Sequence, residues 1–392
     1  MLNTPFAPWP SFTDEEQRAV SSILSSNRVN YWTGGEGREF EREFAAWAKT
    51  NHAVALANGT LALDLALKAL EIGEGDEVIV TPRSFMASVS SVVNIGATPV
   101  FADVDRDSGN ISPETIEAVL TDRTRAVIPV HLAGWPCDMA GIMALADKHD
   151  LRVIEDCAQA HGAKIDGKPV GGFGHIGAWS FCQDKIMTTG GEGGMVTTDD
   201  QALWSAMWSY KDHGKSWEAV YNREHAPGFR WVHESFGTNW RMLEMQSVIG
   251  RIQIKTMSGW TDKRTANAMA IHAVLCEYPN IVRSPLPPDD IVHAFYRHYG
   301  YVRPENLKTG WDRDRIVAEI SARGGAAMQG TCSEIYREKA FDGTGLRPLQ
   351  RLSIALELGN TSLAFLTHPT LTAGDMDKIC SVLGEVLREA SA

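Results

Sequence analysis

The chain has 392 residues, 44% of them apolar and 22% charged, a balance that supplies a hydrophobic core and suits one large domain with a smaller one. Its formal net charge of −12, with no long Lys/Arg run against it, excludes non-specific nucleic-acid binding, and no uninterrupted apolar run approaches a membrane span. Six cysteines without a CxxC pair point to reduced, buried thiols in a cytoplasmic protein, and the opening MLNTPFAPWPSFTDEEQ lacks the charged-then-apolar pattern of a secretion signal.

Residues 53–57 (AVALA) read as a strand. Asn58-Gly59-Thr60 then opens a helix over 61–70, whose apolar spacing runs without a breaker to Gly73 and Gly75. EVIV (77–80) is the next strand, 84–95 a helix, and 98–105 a strand with an acidic end. A helix at 113–120, a strand at 126–132, a helix at 138–149 and a strand at 151–157 continue the alternation, and 178–182 and 194–198 read as two more strands. This order predicts an α/β fold: a three-layer α/β/α large domain with a mostly parallel sheet built by right-handed crossovers. Beyond about Arg241 the texture changes. Helices at 242–257 and 261–277, a Pro-rich turn at 283–290, a strand at 295–303 and helices at 312–323, 349–357 and 374–390 predict a smaller C-terminal α+β domain. The expected division is residues 1–250, including an N-terminal substrate segment, and 251–392.

The densest chemistry lies in WSFCQDKIMTTGGEGGMVTT (179–198). Lys185 follows a strand end and precedes a glycine cluster that lets backbone pass close to a bulky group. A partly desolvated lysine there can form a Schiff base, although a single Lys on a turn is more often a surface residue. Asp156 ends a predicted buried strand, the edge at which open α/β sheets place ligands. A carboxylate there needs a positive partner, and a protonated pyridine nitrogen is one; the plainer reading is a cap on the next helix. Gln159, three residues on, reaches toward a ring hydroxyl. Gly59 and Thr60 offer N–H groups at a helix start and so an anion site, a signal that an ordinary N-cap also gives, and Ser180 can add a donor.

Two other patterns point elsewhere. Gly172–Gly177 matches G-x-G-x-x-G but runs into a strand rather than a helix, which argues against a dinucleotide site. The 12 histidines show no metal-ligand spacing, so no metal is expected.

Taken in order, NGTLALDLAL, GDEVIVTPRSFMASVSSVVNIGATPVFADVD, PVHLAGWPCDM, VIEDCAQAHGA, SFCQDKIMTTGGEGG and GTNWRMLEMQSVIG resemble the DegT/StrS family of sugar aminotransferases, a branch of the type I aminotransferase fold. The resemblance implies a PLP-dependent transferase-like fold and pyridoxal 5'-phosphate (PLP) carried on Lys185. It implies Asp156 at the pyridine nitrogen, Gln159 beside the ring hydroxyl, and Gly59, Thr60 and Ser180 at the phosphate. Phe85 falls where an aromatic stacks on the ring. Asn239 matches a residue that reaches the phosphate from the neighbouring subunit, hence a homodimer with shared active sites. The implied reaction is amino transfer from glutamate to a nucleotide-linked keto sugar, with a 4-keto-6-deoxy sugar favoured, for polysaccharide, O-antigen or secondary-metabolite biosynthesis. Trp32, Arg241 and His368 are the residues expected to touch the nucleotide diphosphate. PRSFMAS is one residue shorter than the commoner family spelling and TTGGEGG carries one extra glycine, and both departures lie near the cofactor. The aromatic-rich stretch 211–240 does not align with the family ahead of its closing GTNW and is a place for substrate specificity. Two rivals share the fold. One is a PLP-dependent sugar dehydratase, of which one branch carries His where Lys185 stands. The other is a non-catalytic regulator, which the complete set of Lys185, Asp156 and Gln159 opposes.

Overall fold

The computed structural model describes residues 6–391; the first five residues of the opening segment lie outside them. The strands in chain order are β1 (His52–Leu56), β2 (Glu77–Val80), β3 (Thr98–Phe101), β4 (Thr124–Ile128), β5 (Arg152–Asp156), β6 (Lys164–Ile165), β7 (Lys168–Pro169), β8 (Ile176–Ser180), β9 (Gly194–Thr198), β10 (Val282–Arg283), β11 (Ile291–Val292), β12 (His298–Val302) and β13 (Ser362–Phe365). The α-helices are α1 (Asp14–Ser26), α2 (Glu36–Ala48), α3 (Gly59–Ala69), α4 (Ala87–Asn94), α5 (Pro113–Glu117), α6 (Met139–His149), α7 (Gln201–Tyr210), α8 (Glu244–Ile254), α9 (Met257–Cys276), α10 (Arg313–Ala322), α11 (Ser353–Thr361) and α12 (Ala373–Ala390).

A seven-stranded sheet, in the order β1-β9-β8-β5-β4-β2-β3, forms the middle layer. Alternate residues of each strand point to opposite faces, and each face has its own helices. Val54, Leu56, Val78, Val80, Ile154 and Ala178 pack with α3 residues such as Leu63 and Leu67. Ala53, Ala55 and Trp179 instead meet Phe40 and Phe44 of α2, while Ile79, Val127 and Val153 meet Met139 and Ile142 of α6. The strands are apolar on both faces because both faces are covered. Pairing is parallel from β8 through β3, but β9 runs antiparallel to both β8 and β1. The link from β8 to β9 holds a glycine loop and no helix, and a connection without a crossover returns the chain antiparallel.

The second region is a three-stranded antiparallel sheet, β10-β12-β13. It packs with Ile271 and Leu275 of α9, Ile316 of α10 and Leu383 of α12. The other end of α9 belongs to the first region, since Met257 packs with Phe40 and Phe181.

Several expectations change. The strand expected over 98–105 stops at Phe101, and the one expected over 295–303 shortens to β12. Residues 294 and 296 spend their N–H groups on a loop, Ala294 to the Gly134 carbonyl (2.9 Å) and Tyr296 to that of Ala133 (2.8 Å). Helices α1, α2 and α7 were not anticipated, although α1 carries a capping box in which Thr13 and Glu16 exchange bonds. Of the six free thiols only Cys137 and Cys157 are buried, while Cys276 and Cys332 are exposed. One histidine does join a compact group of ligand-type atoms: His131, Glu155 and Cys157 place theirs within 4.8 Å of one another. Among the described residues no helix is long and apolar enough to cross a membrane.

Candidate active site

The C-terminal ends of β5 and β8, the start of α3 and the start of α4 surround a cavity of about 530 Å³. Seven residues singled out from the sequence line it: Gly59, Thr60, Phe85, Asp156, Gln159, Ser180 and Lys185. Ser84, Ser88, Cys182, Asp184 and Glu192 join them without having been picked out. Ser84 and Ser88 stand one helical turn apart, the one sequence signal that could have flagged them.

At one end, Asn58 caps α3 by accepting from the Leu61 N–H (3.0 Å). The first-turn N–H groups of a helix have no acceptor within it and form an anion site. Glycine at 59 is a packing necessity: a Cβ there would lie 2.4 Å from the Ser180 Cβ. The helix start therefore sits directly on β8, with the Ser180 hydroxyl beside it.

At the other end is Asp156, 5% exposed. Its backbone is pinned on both sides, accepting from the His131 N–H (3.1 Å) and donating to the Pro129 carbonyl (2.9 Å). Its carboxylate accepts from the Ser88 hydroxyl (2.8 Å) and the Ala158 N–H (3.1 Å), and Ser88 is in turn 2.9 Å from the Ser84 hydroxyl.

The neighbouring acid shows what this arrangement leaves open. Glu155 and Asp156 are consecutive on β5 and so face opposite ways. Glu155 points into the protein and accepts four hydrogen bonds: His131 Nε2 (3.0 Å) and the Gly171 N–H (2.8 Å) at one oxygen, and the N–H groups of Phe173 and Gly174 (2.7 Å each) at the other. The glycine-rich loop that matches a dinucleotide signature thus wraps a protein carboxylate. His131 Nδ1 accepts from the Cys137 N–H (3.0 Å), so its Nε2 carries the proton given to Glu155. The His131–Glu155–Cys157 group has its polar atoms committed to the protein, which leaves it a structural knot rather than a metal centre.

Burial raises both acids' proton affinity, but the donors around Glu155 outweigh it and hold that carboxyl below the usual range. Around Asp156 burial wins: two donors, helped by the more distant Lys185, leave its carboxyl above the usual range. A buried carboxylate facing a cavity with two donors still accommodates a cationic donor. A molecule with an anion at one end and a protonated ring nitrogen at the other fits this frame, and PLP is such a molecule.

Lys185 stands in the connection between β8 and β9. Its N–H donates to the Cys182 carbonyl (3.1 Å), and its carbonyl accepts from Trp9 Nε1 (2.8 Å). Its Nζ lies 3.8 Å from Asp184 Oδ1 and 5.3 Å from the centre of the Tyr296 ring. Gly190 and Gly191 have φ of 88° and 123°, a region costly for other residues. Gln159 Oε1 accepts from the Ala133 N–H (2.7 Å), while Phe85 is 69% exposed at the mouth.

The remaining four residues do not line this cavity. Asn239 is exposed and bridges Asp212 through the backbone. Arg241 and Trp32 are both held by Asp212, through Arg241 Nη1 (2.7 Å) and Trp32 Nε1 (2.7 Å). His368 is buried against Trp9 and bonds Thr370 (2.8 Å).

Residues 10–384 match the model of the DegT/DnrJ/EryC1/StrS aminotransferase family. Among curated proteins, the chain is 42% identical over 298 residues to a UDP-N-acetyl-3-dehydro-alpha-D-glucosamine 3-aminotransferase of Acidithiobacillus ferrooxidans, covering 76% of this chain and 75% of that one. It is 36% identical to a dTDP-3-amino-3,4,6-trideoxy-alpha-D-glucose transaminase of Streptomyces venezuelae, over 81% and 78% of the two chains. Among solved structures, an aminotransferase from Psychrobacter cryohalolentis superimposes with a TM-score of 0.98 at 61% identity, over 98% of this chain and all of that one.

Proposed function

We propose, for a chain that belongs to the DegT/DnrJ/EryC1/StrS aminotransferase family, that it moves an amino group from glutamate to a nucleotide-linked keto sugar with PLP held on Lys185. The observation that carries this is the single cavity in which Lys185, Asp156 and the glycine start of α3 meet. When bound, PLP supplies an electron sink that eases removal of a proton from the carbon bearing nitrogen. The protein's side chains do the rest. Gly59, Thr60 and Ser180 hold the phosphate, Asp156 keeps a proton on the ring nitrogen, Gln159 faces the ring hydroxyl, and Phe85 covers the ring. Lys185 Nζ takes the proton from the donor's α-carbon and returns it to the receiving carbon, serving as base and then acid.

The functional unit in this reading is a homodimer. The stretch 211–240 exposes Phe229 by 74%, Trp231 by 79% and Phe236 by 99%, and a group of large exposed aromatics marks an interaction surface, here read as the dimer face. In the second copy Asn239 reaches the phosphate, and Trp32, Arg241 and His368 lie toward the nucleotide diphosphate. In this reading the chain is a cytoplasmic enzyme making an amino sugar for polysaccharide, O-antigen or secondary-metabolite assembly.

Because the two curated relatives are named for different nucleotides and sugars, fold alone does not select the substrate. The test is a panel of nucleotide-linked keto sugars with glutamate, read by product mass. It should include UDP-N-acetyl-3-dehydro-glucosamine, which the 42% relative supports, and 4-keto-6-deoxy sugars. One member is expected to gain an amino group and Lys185→Ala to make none; turnover by that variant would refute the reading.

A further inference from the structure

We propose that Asp184, anchored by the hydroxyl of Tyr296, is a positioning residue that orients the Lys185 nitrogen and holds a proton on it. The inference rests on the reading that Lys185 carries the cofactor. Asp184 Oδ1 lies 3.8 Å from Lys185 Nζ. Its other oxygen, Oδ2, accepts a short hydrogen bond from the Tyr296 hydroxyl. The same Tyr296 ring lies 5.3 Å from Lys185 Nζ and 4.4 Å from the Arg297 guanidinium. Tyr296 is nearly buried and is fixed by its backbone bond to Ala133, whose own N–H binds Gln159. One loop, 132–134, thus braces both the ring-hydroxyl side of the cavity and the lysine side.

The other charged groups around Lys185 do not supply this contact. Asp156 is engaged by Ser88 and Ala158 and is assigned to the ring nitrogen. Glu192, across the cavity, lies 3.8 Å from the Cys182 sulfur. His161 is fully buried with neither ring nitrogen hydrogen-bonded, and burial holds it neutral, its pKa down at about 3. Among the described residues, Lys185 and Arg297 are the cations that act on Asp184. The Asp184 side chain is 56% exposed; what desolvation it has works to raise it, but Lys185, the Tyr296 hydroxyl and Arg297 together hold its carboxyl below the usual carboxylate range. It is therefore ionised wherever the lysine must take up a proton, and a carboxylate beside a cation favours the charged form.

The experiment titrates the yellow absorbance of the PLP-loaded protein, which follows the proton on the Lys185 nitrogen. Asp184→Asn is expected to lower the midpoint by about one pH unit. Tyr296→Phe should lower it less, and the double variant should move no further than Asp184→Asn, because the hydroxyl acts through the carboxylate. The acid limb of kcat/KM for glutamate should move with it. Loosened packing alone would reduce cofactor occupancy and leave the midpoint in place. Borohydride trapping with peptide mapping on wild type and both variants separates the two claims. A label at Lys185 with an unmoved midpoint in either single variant overturns the role of Asp184. A label elsewhere in wild type overturns the assignment of Lys185 and this inference with it. If Asp184→Asn fails to fold, Tyr296→Phe, which keeps the ring, decides alone.

Discussion

Glu155→Gln is the substitution whose cost follows most directly from the structure. The side chain is fully buried and takes two donors at each oxygen: His131 and Gly171 at one, Phe173 and Gly174 at the other. A glutamine amide keeps one oxygen and puts an NH₂ group where the other stood, so in either orientation two buried donors face a donor. His131 cannot resolve the conflict by moving its proton, since its Nδ1 already accepts from the Cys137 N–H. At about 1–3 kcal/mol for each buried donor left without an acceptor, the loss is about 2–6 kcal/mol. That is a large part of the stability of a typical protein, about 5–15 kcal/mol. Because folding holds the Glu155 carboxyl below its ordinary range, its contribution is present above the unfolded pKa and disappears as pH falls through the folded one. The gap between wild type and variant should therefore be widest near neutral pH and narrow in acid. Urea unfolding of both proteins across that range is the assay. A loss under about 1 kcal/mol at neutral pH would refute the four-donor account of Glu155.

Two further outcomes follow from packing and burial. Gly59→Ala must push the α3 start away from Ser180, whose Cβ would lie 2.4 Å from the new methyl. At about 1–3 kcal/mol for such overpacking, PLP affinity measured by absorbance titration should fall about 5- to 150-fold, and unchanged affinity would remove Gly59 from the phosphate site. His161 is held neutral by burial, with a pKa of about 3, so its native form resists a proton that the unfolded chain accepts. The wild type should therefore lose about 2 kcal/mol at about pH 5 relative to neutral pH through this one group. His161→Phe should abolish that share, and identical acid-unfolding curves for the two proteins would count against it.

The layered fold and half of the site were legible along the chain because each rests on local signals. EVIV and GMVTT each carry consecutive apolar or β-branched residues and stand where strands β2 and β9 form. Asn58 capped the helix that its spacing promised. The family-like order of segments around Lys185, Asp156 and Gln159 carried the functional expectation. Other features left no local mark. Glu155 and Asp156 are adjacent acids with the same side-chain chemistry, and only the sheet, by turning them to opposite faces, makes one a buried knot and the other a cavity wall. Tyr296 reads as one more aromatic in FYRHYGYVR until the loop at 132–134 takes the N–H that a longer strand would have used and sets its hydroxyl against Asp184. Periodicity and capping are short-range and survive in one dimension. Contacts made 112 residues apart, as between Asp184 and Tyr296, exist only once packing has chosen which faces meet.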